Sequence, residues 1–159
     1  NESPWQLFKA KLTVMAIFAF VVSLIQTLFL KFIIQGMQVS VTPVSLSLFL
    51  FTTFLVCLFL SCLHLCLAFI YPKPSVTVVT GLIGSFLSFV GIGALPVPIR
   101  IFIPWQYFSM MGIAKRVAGT NTYLFQYDNA YPFKLVVLLL IIFLSIFASK
   151  KLIGKADLL

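Results

Sequence analysis

The chain reads as long apolar stretches separated by short breaks marked by polar residues or proline. Leu12 to Ile34 is the first stretch, apolar except for Thr13, Ser23, Gln26, Thr27 and Lys31. At about 1.5 Å rise per residue, roughly 20 apolar residues cross a bilayer's hydrocarbon, so a membrane-spanning helix is predicted over 12–34. Lys31 lies near its end, where a long stem reaches the interface, and it reads as an anchor. Residues 35–45 (QGMQVSVTPVS) break the pattern and predict a surface turn.

A second span is predicted over 46–71, free of Asp, Glu, Lys and Arg, and stopped by Pro72-Lys73-Pro74. The connection is so short that the next span, 76–95, is expected to lie antiparallel beside it. That third span carries Gly81, Gly84, Ser85, Ser88, Gly91 and Gly93. Gly84 and Ser88, four apart, form a small-xxx-small pair that predicts a helix-packing face, with a gating hinge as the alternative. The last span is predicted over 133–149, followed by Lys150, Lys151 and Lys155.

Between the last two spans the pattern is mixed. Pro96, Pro98 and Pro104 punctuate Ile101-Phe102-Ile103, and Trp105-Gln106-Tyr107-Phe108 follows. Proline-broken apolar backbone is tolerated at membrane depth only where protein or water satisfies it, and aromatic rings suit the headgroup level. A re-entrant or interfacial helical hairpin is predicted over 96–118, then a solvated turn region from Gly119 to Asn129. The expected fold is therefore an all-α integral membrane protein, a single membrane domain over 1–159. It has four transmembrane helices plus that hairpin. Neither barrel-type alternation nor an internal repeat is evident.

Composition sharpens the class. Of 159 residues, 62% are hydrophobic and only 9% charged, too few to coat a water-facing surface. This excludes an ordinary water-soluble enzyme and a nucleic-acid module. The net charge of +8 does not restore the latter, because the basic residues sit at the ends of apolar runs and face anionic headgroups. Membrane lipid is the first expected partner. Lys9, Lys11, Lys73, Lys150, Lys151 and Lys155 share one side; Lys31, Arg100, Lys115, Arg116 and Lys134 share the other. Six against five favours both ends in the cytoplasm of a multi-pass cell-membrane protein, the reverse orientation being the alternative.

Catalytic chemistry is hard to assemble. The chain has one His and three acids, with no paired carboxylates in any span. Cys62-Leu63-His64-Leu65-Cys66 is tempting, but at about 100° per residue His64 points away from the two thiols, and Cys57 away from Cys66. Free packed thiols and a histidine bonded to a neighbouring helix are expected there, with no metal and no catalytic residue. Gly154-Lys155-Ala156 lacks the upstream glycine and the Ser/Thr of a phosphate-binding loop, so no nucleotide cofactor is expected in this chain. Arg100, Lys115 and Arg116 read as surface anchors, an anion site being the alternative.

In order, the features are a Glu2, Trp5, Lys9, Lys11 lead-in to a span, a tight Pro72-Lys73-Pro74 turn, a glycine-rich span, Pro104-Trp105-Gln106-Tyr107, and a basic tail. This order resembles the back two-thirds of ABC-2 type permeases, most of all the small ones of lantibiotic- and bacitracin-type peptide export and immunity. The resemblance implies six spans in all, two of them before Asn1. Glu2, Trp5, Lys9 and Lys11 would then contact a cytoplasmic ATPase subunit, which binds the ATP. Pro104, Trp105 and Tyr107 would gate a re-entrant element, and a second permease copy or paralogue would complete the assembly. The cargo implied is an amphipathic peptide, antibiotic or lipid-like molecule. Two other readings stay open on the residues: a non-transporting tetraspan subunit, and a membrane-embedded lipid enzyme using His64, Arg100 and Asp128.

Overall fold

The computed structural model describes residues 3–36, 41–71, 73–94, 96–100, 103–111, 114–116, 123–125 and 130–156. Four long helices dominate: α1 (Pro4–Gly36), α2 (Pro43–Ile70), α3 (Pro74–Ala94) and α6 (Tyr131–Ala156). Each contains a stretch long and apolar enough to cross a membrane, as a multi-pass membrane protein requires. In hydrocarbon every backbone N–H and C=O must be satisfied within the segment, so continuous helix is what these sequences can adopt.

The helices start earlier than apolar content alone predicts, and proline is the reason. Pro4, Pro43 and Pro74 each occupy the first helical position. There the missing N–H has no intrahelical partner to lose and the fixed φ is already helical. Pro43 and Pro74, read above as parts of breaks, are therefore helix starts. At α1 the Ser3 side chain accepts from Gln6 N (3.3 Å) while Gln6 Oε1 accepts from Ser3 N (2.9 Å). This reciprocal capping box extends the predicted 12–34 span back to Pro4. Thr42 caps α2, accepting from Ser45 N at 3.2 Å. At the other end of the chain, α6 runs past 149 to Ala156 and takes Lys150 and Lys151 into the helix.

Helix α2 is the hub. It pairs with α1 through Phe20–Phe54 (ring centroids 5.9 Å) and Phe8–Phe69 (5.7 Å). The partner numbers climb on one helix as they fall on the other, so the two are antiparallel. It pairs with α6 in parallel, the Cys62 thiol facing Ser149 Oγ at 3.9 Å and Leu65 clustering with Ile153. With α3 it forms the expected antiparallel hairpin, His64 lying against Gly81 across the tight turn. Two clusters make the core. One gathers Val56, Phe59, Tyr107, Met111, Leu138 and Ile142; the other gathers Phe8, Cys62, Leu65 and Ile153. Helix α3 is peripheral: 11% of its apolar window is buried against the rest of the chain, against 33% for α2.

Between α3 and α6 lie α4 (Val97–Arg100), a 3-10 turn (Pro104–Gln106), α5 (Tyr107–Met110) and two short strands, β1 (Ala114–Arg116) and β2 (Tyr123–Phe125). The strands pair antiparallel with Lys115 opposite Leu124. This ladder corrects two expectations. The helical character predicted to 118 gives way to strand at Ala114, and part of the predicted turn region 119–129 is strand.

Candidate functional site

The described residues converge where the 3-10 turn meets α2 and α3. Helical bookkeeping along the apolar runs places the partners: Phe59 and Gly84 sit at the middles of the runs on α2 and α3, and His64 lies roughly 8 Å from α2's middle. Trp105 is wedged between two helices there. Its indole stands edge-on to the His64 ring (5.7 Å, 84°) and lies directly over Gly84, where a Cβ would overlap the fused-ring atoms. Gly84 is thus glycine because an indole occupies its side-chain space.

Polar bonds complete the joint. Ser88 Oγ donates to the Trp105 carbonyl at 2.9 Å. Gln106 is fully buried, and its Nε2 donates to the carbonyls of Leu87 (2.8 Å) and Ser88 (3.0 Å) on α3. Ser109 Oγ donates in turn to Gln106 Oε1 (3.0 Å) and Gln106 O (2.8 Å). Every polar atom of the Gln106 amide is satisfied, as a buried amide in apolar surroundings must be. Next along the chain, Tyr107 is buried with its ring edge-on to Phe59 at 6.0 Å. The elbow formed by Trp105, Gln106 and Tyr107 therefore grips α3 with one side and α2 with the other. Lys134 Nζ donates to the Met110 carbonyl at the end of α5 (3.4 Å).

The structure brings some predicted site residues together and separates others. Gly84 and Ser88 share one face of α3, but what packs on it is the elbow rather than another long helix. Trp105 and Tyr107 of the predicted gate lie in the joint, and Pro104 starts its 3-10 turn. Of the ATPase-contact set, Trp5 stacks on Phe8 (5.2 Å, 12°) and the Lys11 ammonium sits over the Phe69 ring at 5.3 Å. Lys9 is exposed. These residues belong to the continuous helix α1 and not to a separate segment before it. Glu2, Asp128 and the side chains of Lys115, Arg116 and Lys155 fall outside the described residues.

His64 departs from expectation: no described residue hydrogen-bonds its imidazole, and its neighbours are an indole and a glycine. Cys57, Cys62 and Cys66 are free thiols. Among the described residues no three metal-ligating side chains converge.

Sequence reasoning gave Gln106 no role. The signal was present: a single amide amid aromatic residues in a proline-marked apolar segment needs hydrogen-bond partners wherever it is buried.

Comparison with protein-family profiles, characterised proteins and solved structures returns no match.

Proposed function

We propose that this chain is the membrane-spanning permease subunit of an ATP-driven exporter, moving an amphipathic peptide, antibiotic or lipid-like cargo. A separate cytoplasmic subunit would bind and hydrolyse the ATP. The observation that carries the reading is the Trp105–Gln106 elbow, which inserts between α2 and α3 beside the middles of their apolar runs. On this reading the 96–118 segment is re-entrant. Helix α3, little buried in the bundle, is held by the elbow as well as by its hairpin contact with α2, so a shift of the elbow relative to α2 would move α3. Two discrete arrangements of that joint would serve as inward- and outward-open states. The exposed Lys9 near the start of α1 offers the docked subunit a contact, and both ends lie on its side of the membrane.

A second reading, a non-transporting tetraspan subunit, is favoured by how the helix hydroxyls are spent. Ser23 donates to Ala19 O (2.7 Å), Thr27 to Ser23 O (2.8 Å), Thr80 to Val76 O (2.7 Å) and Ser149 to Ser145 O (2.8 Å). Hydroxyls turned back on their own helices leave little polar lining for a hydrophilic cargo.

Mild-detergent purification of the full-length protein from its native membrane separates the two. The permease reading expects a stoichiometric nucleotide-hydrolysing subunit whose ATP turnover falls on charge reversal at Lys9. Purification without such a subunit, or turnover indifferent to Lys9→Glu, overturns it and leaves the tetraspan reading.

A further inference from the structure

A second polar feature lies between α1 and α2, beside Phe108 and Met111 of the segment that follows the elbow, and plays no part in the transport reading. A cavity of about 230 Å³ opens between α1 and α2, under α5. Its polar lining is Gln26, Thr52 and Thr53; Phe49, Val56 and Phe108 are among its apolar walls. Gln26 and Thr53 both lie within roughly 8 Å of the middle of their apolar runs, counting along the helix axes.

The hydrogen-bonding inventory is uneven. Thr52 Oγ1 donates to the carbonyls of Leu48 (2.8 Å) and Phe49 (3.2 Å), so it faces the cavity as an acceptor. No described residue hydrogen-bonds the Gln26 amide or the Thr53 hydroxyl. Two donors and several acceptors thus gather at a depth where an amide left without a partner is costly. Two hydroxyls of α1, those of Ser23 and Thr27, are satisfied within their own helix. What sets Gln26 and Thr53 apart is that they share one cavity, between α1 and α2.

We infer that this cavity binds the hydroxyl end of an uncharged lipid entering sideways from the bilayer. The chemistry selects the class. No Lys, Arg, Asp or Glu lines the cavity, so a phosphate brought to this depth would meet no counter-charge. A hydroxyl both donates and accepts, which suits a Gln amide beside two threonines. The volume takes the hydroxyl and the first carbons of a chain, and the remainder of the molecule stays in the bilayer beside Phe108.

The test uses the full chain in phosphatidylcholine nanodiscs doped with a diazirine-bearing diacylglycerol, or with the same molecule methylated on its hydroxyl. The free hydroxyl probe is expected to label peptides around Gln26 and Thr53 well above its methyl ether, and unlabelled diacylglycerol should compete. The variant Gln26→Leu with Thr53→Val is close in shape and more apolar, so it inserts at least as well. Two membrane hydrogen bonds of average strength correspond to a drop in labelling of roughly eightfold. Equal labelling by the two probes, no labelling by either, or labelling unchanged in the double variant would each overturn the inference. Loss of the ATPase subunit with probe discrimination intact would count against the transport reading alone.

Discussion

Replacing Gly84 with alanine should loosen the elbow from α3. The added methyl would overlap the fused edge of the Trp105 indole, whose escape is blocked by His64 on its other side. A rigid ring clamped between two helices cannot yield as the tip of a flexible chain could, so overpacking of about 1–3 kcal/mol is expected. Opposing it are the Ser88–Trp105 bond and the two from Gln106. At an average of roughly 0.6 kcal/mol per hydrogen bond in a membrane, the three supply about 2 kcal/mol. The two magnitudes match, so one methyl group brings the attached and detached arrangements near balance. Trp105 reports on this directly once Trp5→Phe leaves it as the sole tryptophan. Gly84→Ala should then shift its emission and change its quenching by brominated lipid, and should lower the thermal midpoint in detergent. In a Trp105→Ala background the same alanine should cost almost nothing, a non-additivity that isolates the contact. Emission, quenching and midpoint all unchanged in Gly84→Ala would refute the packing argument.

Three further outcomes follow from the same geometry. Gln106→Met keeps the volume but removes the bonds to α3, and should cost about 1–2 kcal/mol in detergent unfolding; Ser88→Ala should cost less, and the pair should be less than additive. Cys62 is buried against Ser149 while Cys57 and Cys66 are half-buried, so N-ethylmaleimide should modify the latter two first and reach Cys62 only on unfolding. In a background with all three cysteines replaced by alanine, Lys73→Cys and Lys151→Cys should react with an impermeant maleimide from one side of the membrane. Val44→Cys and Ala130→Cys should react from the other, and a mixed pattern would break the alternating order of α1, α2, α3 and α6.

The four spans were legible because hydrocarbon imposes one requirement on the whole length of each. Their ends were not, since Pro43 and Pro74 look alike as helix breakers and as first helical residues; only the partner of the lost N–H tells them apart. The Ser3-Pro4-Trp5-Gln6 capping box could have been read from its spacing and would have moved the start of α1. Gly84 and Ser88 announced close approach without saying of what. Periodicity reports a face, whereas the occupant, Trp105, arrives from a connection of short helical turns, 17 residues beyond Ser88. The β1–β2 ladder was missed because three-residue strands are too short for alternation to register.

The distance along the chain between α3 and its fastening also sets an order of events during synthesis. Ser88 leaves the ribosome before Trp105 by 17 residues. At ordinary elongation rates that gap lasts about one to three seconds. Through that interval the newborn α3 is kept near the nascent bundle by its hairpin with α2, where Gly81 meets His64, and lacks the elbow. Its final seat is made by residues not yet translated, and any factor that tends unfinished membrane chains would find its substrate there.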